Sequence, residues 1–202
     1  KFFYQSWKMK LKICGICDID ILQHACESGV DFVGLIMANE SPRKISDNFL
    51  ASLKNFNFLS TLPVFVFVNP SVEEVTKITT CIENPILQFH GDEEDSFCQQ
   101  FNQSFWKTIR VKDSQSLIKI HDFPSADAIL LETFSKDVYG GTGKVFDWSL
   151  LEKISLERKF VLAGGINPEN IKEAVSMNPW CIDVNSGVES SLALKDKTLM
   201  DQ

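Results

Sequence analysis

Long apolar runs are missing from this 202-residue chain. None approaches the roughly 18 residues that a helix needs to cross a bilayer, so no membrane partner is expected. Surplus positive charge is missing too: Lys and Arg total 20 against 27 Asp and Glu, a net charge of −7, which excludes the basic footprint of a nucleic-acid binder. There is no linker, low-complexity segment or sign of a second domain, so one core is expected. The opening stretch, KFFYQSWK, lacks the apolar centre and small-residue cleavage site of a signal peptide. It precedes Met9, so residues 1–8 are set aside as an N-terminal extension and residues 9–202 are read as the folded domain.

Metal-ligand spacing is thin as well. Cys14 and Cys17 make a C-x-x-C, but no second pair and no His pair completes a zinc site, so neither metal nor cofactor is expected. The other cysteines, Cys26, Cys81, Cys98 and Cys181, are scattered. In a chain too large to need staples they read as free thiols of a cytoplasmic protein.

What the chain has is alternation. Eight apolar segments recur, at 11–16, 31–37, 63–69, 86–90, 106–111, 128–132, 160–163 and 181–184. Helical patterns follow them, opened by N-cap residues such as Asp18, Ser46, Ser71, Asp92 and Asn167. The helix opened by Ser46 is expected to reach Phe58, and the one opened by Asn167 to carry Ile171, Ala174 and Val175 on one face; a further helix is expected over Ser114 to His121 and another from Asp147, whereas the segment after Lys195 is too short for a full-length closing helix. Strand–helix alternation argues for a parallel sheet with helical crossovers. Eight units argue for closure into an α/β, single-domain (β/α)8 TIM barrel; an open doubly wound sheet is the alternative.

In such barrels the chemistry gathers at the C-terminal ends of the strands. Those ends carry Cys14, Arg43, Asn69, His90, Glu132, Gly164-Gly165 and the stretch Asp183 to Gly187. The last two strands each end in a glycine turn, and a turn without a Cβ lets backbone N–H groups approach an anion. Lys12 and Cys14 share a face of the first strand. Either the ammonium lowers the thiol pKa towards neutrality, or Cys14 is a small buried residue beside a Lys salt-bridged across the barrel. Glu132 ends an apolar strand; at the rim of a barrel its pKa is expected to rise, which suits an acid, while an exposed loop residue is the plain reading. His90 reads as a structural or hydrogen-bonding residue or a base, and Arg43 as a surface residue or a ligand contact. The loop Gly140 to Gly143 is a candidate lid or phosphate cradle.

Together these residues resemble the phosphoribosylanthranilate isomerase family of tryptophan biosynthesis. The resemblance lies in KICGI (12–16), GVDFVGLIMANESPRKIS (29–46), VFVN (66–69), LQFHGDE (87–93), ILLETFSKDVYGGTGKVFDWSLL (129–151), LAGGINPENIKEAV (162–175) and DVNSGVE (183–189). It implies a small barrel and a cofactor-free Amadori rearrangement. N-(5′-phosphoribosyl)anthranilate becomes 1-(o-carboxyphenylamino)-1-deoxyribulose 5-phosphate by general acid and base catalysis. It also implies Cys14 as the general base, Glu132 as the general acid and Arg43 as a substrate contact, with His90 and Asp183 as further contacts. Gly164, Gly165, Ser186 and Gly187, with Gly141 and Gly143 of the loop, are implied to hold the phosphate. The partner is then a small phosphorylated substrate, and the enzyme a monomer or homodimer.

The sequence departs from the family in four ways, one of them Cys17 in place of a small polar residue. Glu132 replaces the usual Asp and is one methylene longer, with Asp137 in the following loop as a substitute donor; Asn185 replaces a Ser; and the closing helix is curtailed. Two other functions are weighed: a related sugar-phosphate isomerase of the ProFAR type, which Cys14 in place of an Asp argues against, and a barrel that binds a phosphorylated ligand without turnover.

Overall fold

A computed structural model of the protein describes residues 8–134, 145–152 and 158–202. Eight parallel strands close into a barrel in sequence order: β1 (Lys10–Cys14), β2 (Phe32–Ile36), β3 (Leu62–Phe67), β4 (Ile86–Phe89), β5 (Phe105–Val111), β6 (Ala128–Thr133), β7 (Phe160–Leu162) and β8 (Cys181–Val184). The register that closes the ring pairs Lys12 with Asp183 across β1 and β8. The open-sheet alternative is thereby excluded.

Helices α1 (Ile19–Glu27), α2 (Asp47–Leu53) and α3 (Val72–Cys81) begin where the cap residues indicated. The Asp18 carboxylate accepts the N–H groups of Asp20 and Ile21. Ser46 Oγ accepts that of Phe49. Ser71 and Glu74 satisfy each other's backbone N–H in a capping box. The remaining helices are α4 (Asp95–Gln99), α5 (Ser149–Glu152), α6 (Ile171–Ser176) and α7 (Lys197–Met200).

Four expectations about these crossovers are corrected. Asp92 does not cap α4; its carboxylate pairs with Arg110 at 2.9 Å, and the helix starts after Glu94. The crossover after β5 is a 3-10 helix, Ser116–Asp122, not an α-helix. α2 ends at Leu53 instead of reaching Phe58. Asn167 caps a turn ahead of α6, accepting the N–H groups of Glu169 and Asn170, so the helix proper starts at Ile171. Val175, expected on the inner face of that helix, is 44% exposed.

Period-two alternation splits the apolar residues into two cores. Odd positions such as Val33, Leu35, Phe65, Phe67, Leu87 and Phe89 face outward and pack under the helices, with Leu22, Ala25, Val75 and Ile78 buried against them. On β1 to β6 the even positions face the barrel axis, and on β7 and β8 the odd ones do. Phe32, Val64, Trp106, Leu130 and Val161 fill its lower half. The Trp106 indole meets the Phe32 ring edge to face at 4.9 Å, so the floor is closed. Above this plug the axis-facing side chains turn polar: Lys12, Cys14, Gln88, His90, Thr108, Glu132 and Asp183, all buried.

Candidate active site

The polar half of the axis opens into a cavity of about 500 Å³ at the C-terminal ends of the strands. Cys14 and Glu132 line it, as do His90, Asp183 and Arg43, and both glycine turns reach it through Gly164, Gly165 and Ser186. One wall is apolar, formed by Ile36, Ala38, Val66 and Val68. Gly141, Gly143 and Asp137 lie outside the described residues.

On the β1 side, the fully buried Lys12 ammonium donates to Asp183 Oδ2 at 2.7 Å. Cys14 sits one pleat above it. Its sulfur has room because β2 carries Gly34 opposite; a Cβ there would lie 2.5 Å from Cys14 Sγ. Burial pushes the Cys14 thiol pKa up, and the neighbouring Lys12 cation only partly offsets it, with Asp183 adding to the rise. Of the two readings of this pair, burial beside a salt-bridged Lys describes the resting thiol: Lys12 draws its pKa down, but burial outweighs that pull. Lys12 itself is raised: burial pulls it down, but Asp183 and Cys14 outweigh that. Asp183 is also raised, by burial against the pull of Lys12. Asp183 Oδ1 is buried and has no hydrogen-bond partner among the described residues.

Across the mouth, His90 Nε2 lies 2.6 Å from Glu132 Oε2. Gln88 Nε2 approaches His90 Nδ1 at 3.3 Å, so β4 supplies a stacked pair of side chains that faces the acid of β6. Glu132 is buried, not an exposed loop residue.

At the rim, Gly164 and Gly165 have φ of +86° and +70°, a left-handed pair that only glycine adopts without strain. Gly187 is required for a different reason: a Cβ there would run into Ile166 O and Asn167 Cα, the backbone of the turn after β7. The two glycine turns are thus packed directly on each other, as one continuous rim.

Sequence reasoning missed what holds Arg43. Beyond β8 a short hairpin, β9 (Glu189–Ser191) and β10 (Leu194–Lys195), folds back over the mouth. Its Glu189 receives Arg43 Nε at 2.7 Å and Nη2 at 2.8 Å, a bidentate pair. Lys195 Nζ reaches the same carboxylate at 2.7 Å and Asn185 Oδ1 at 2.8 Å. Burial alone would raise the Glu189 pKa; hydrogen bonds from Arg43 and Lys195 reverse that and hold it down to about 2. The available signals were Glu189 at the end of DVNSGVE (183–189) and a charge at each end of the strand-like segment ESSLALK (189–195).

The comparisons with known proteins agree with this geometry. Residues 11–202 match the family described as "PRAI: N-(5'phosphoribosyl)anthranilate (PRA) isomerase". The N-(5′-phosphoribosyl)anthranilate isomerase of Neisseria meningitidis serogroup A is 38% identical over 196 residues, covering 94% of this chain and 91% of that protein. The crystal structure of phosphoribosyl anthranilate isomerase from Thermotoga maritima superposes with a TM-score of 0.85 at 30% identity, covering 96% of this chain and 95% of that one. Another isomerase structure, in complex with reduced 1-(o-carboxyphenylamino)-1-deoxyribulose 5-phosphate, superposes with a TM-score of 0.81 at 28% identity, covering 96% and 95%. Barrel, mouth and matched length lead to one assignment: the chain belongs to the N-(5′-phosphoribosyl)anthranilate isomerase family.

Proposed function

We propose that the chain carries out its family's isomerisation with Cys14 as general base and Glu132 as general acid. The substrate is N-(5′-phosphoribosyl)anthranilate, and the reaction belongs to tryptophan biosynthesis. The observation that carries the reading is that one cavity gathers Cys14, Glu132 and the glycine rim, with an apolar wall beside them. Glu132 gives its proton to the furanose ring oxygen; the ring C–O bond breaks and a Schiff base forms. Cys14, as thiolate, takes the C2′ proton, and the electron pair moves into the C=N system to leave an enolamine. Tautomerisation gives the ketone. Both steps are proton transfers, so two placed side chains and an anchor suffice.

The rim is assigned to the phosphate. The turns offer the backbone N–H groups around Gly164, Gly165, Ser186 and Gly187 as donors, and the phosphate supplies binding energy remote from the reacting carbons. Arg43, oriented by Glu189, is assigned to the anthranilate carboxylate, and the apolar wall to its ring. Asp183 Oδ1 is placed to accept from a substrate hydroxyl. All six cysteines are free, which fits a reducing compartment, and the cytoplasm is assigned on that basis.

The test is Cys14→Ala, assayed by loss of phosphoribosylanthranilate fluorescence. Turnover should fall by about 10²- to 10⁴-fold, the range for a lost general base, while affinity for a phosphorylated product analogue stays within a few fold. In the wild type, kcat/KM should climb with pH on its acidic side towards the raised Cys14 pKa. Substantial turnover by Cys14→Ala would overturn the base assignment. Ligand binding without turnover by the wild type would favour the non-catalytic barrel.

A further inference from the structure

Lys12 is 0% exposed in the barrel interior, and neither proton transfer uses it. An ammonium taken out of water costs several kcal/mol unless a partner compensates. Its partner, Asp183 Oδ2 at 2.7 Å, is fixed by the β1–β8 register rather than by a flexible loop. The same strand face presents Cys14 one pleat higher. Gly34 fixes where that sulfur lies, since any side chain on β2 there would collide with it.

We propose that Lys12 is a positioning residue for the base: held by Asp183, its ammonium is the dry cation that lets Cys14 exist as a thiolate at the bottom of the mouth. This rests on Cys14 being the base. Several charged or titratable groups surround the sulfur. Lys12 comes from β1, Asp183 from β8, Lys195 from the hairpin and Arg43 from the β2–α2 loop, with His90 and Glu132 facing Asp183 from β4 and β6. Each cation has a carboxylate partner, Glu189 for Arg43 and Lys195 and Asp183 for Lys12; Lys195 acts on the sulfur more weakly than Lys12, and Asp183 opposes a thiolate. Lys12 is the strongest influence working against burial at Cys14.

The experiment is alkylation of Cys14 by iodoacetamide in the intact protein at pH 8, followed on the Cys14-bearing peptide by mass spectrometry. Only the thiolate reacts, and removing a close opposite charge should slow alkylation by about tenfold or more in Lys12→Met. Lys12→Arg should stay within a few fold of the wild type. A purely structural role predicts the reverse sign, because a loosened barrel exposes the sulfur and speeds its reaction. Lys12→Met leaves a buried carboxylate alone, so Lys12→Met/Asp183→Asn is run beside it, removing both charges with little change of shape. That variant should also slow, by less. Unchanged or faster alkylation in the soluble, folded variants would overturn the proposal even if Cys14→Ala is inactive. Activity retained in Cys14→Ala would instead remove the base reading on which the proposal rests.

Discussion

Two lysines on barrel strands, Lys107 and Lys12, are buried against carboxylates, and the two pairs are built differently. Lys107 lies on the outward face of β5 and meets Glu93 at 2.6 Å, each side chain about 3% exposed. Everything around it is satisfied. Lys107 also donates to Gly91 O at 2.7 Å and lies over the Phe123 ring. Glu93 Oε1 accepts the N–H groups of Asn69 and Gly91 at 2.7 and 3.2 Å. The inward pair, Lys12–Asp183, has the same short contact but leaves Asp183 Oδ1 with no partner among the described residues, and nearby Gln88 Oε1 is likewise without one. Both Asp183 and Gln88 line the cavity. The outer pair is a clamp on the β4–α4 and β5 segments; the inner pair borders the cavity through Asp183.

The largest effect that tests this contrast is on the clamp. Lys107→Met should strand the Glu93 carboxylate and cost about 3–5 kcal/mol. For a domain of this size that is a drop in Tm of about 10 °C. The folded variant should keep the wild-type kcat at permissive temperature. Near-normal Tm with lost turnover would reverse the two roles.

Next comes Glu132. Glu132→Gln keeps the shape and removes the proton, so kcat should fall by about 10²-fold or more with Tm changed little. Glu132→Asp, the shorter carboxylate, should recover a large part of the rate. Full activity in Glu132→Gln would move the acid away from β6. The smallest expected effect is at Gln88. Gln88→Leu should cost about 1 kcal/mol or less, because the bonds it removes, from Gln88 Nε2 to His90 Nδ1 at 3.3 Å and to Thr108 Oγ1 at 3.5 Å, are long. A calorimetric loss as large as that of Lys107→Met would show that the inner polar layer is structural after all.

Much of the molecule was legible because its rules are local. Strand spacing, both glycine turns and the caps Asp18, Ser46 and Ser71 depend on a few neighbouring residues, and the structure has them where expected. The failures are long-range. Asp92 looked like a cap until Arg110, on the next strand, took its carboxylate. The pairing of Lys12 and Cys14 left two readings open because the sequence does not reveal which carboxylate meets the ammonium; Asp183, 171 residues away from Lys12, does. Arg43 was seen as a mouth residue, but the Glu189 that aims it lies 146 residues on, where DVNSGVE runs into a hairpin, and nothing local pairs the two. The polarity of Glu132 was evident; its contact with His90 depends on barrel closure.

The β1–β8 register also bears on how the chain is made. Residues 12 and 183 are 171 apart, so at a ribosomal rate of about 5–20 residues per second β1 waits on the order of 10–35 s for its closing neighbour. Throughout that interval it is an open edge, able to pair with any other unfinished chain. Its sequence, KLKIC, places Lys10 and Lys12 on the face that later turns inward. Two ammonium groups on an apolar edge strand oppose stacking against a second copy, as gatekeeper charges do. The cation assigned to the sulfur in the finished barrel would thus already have protected the nascent chain from aggregation.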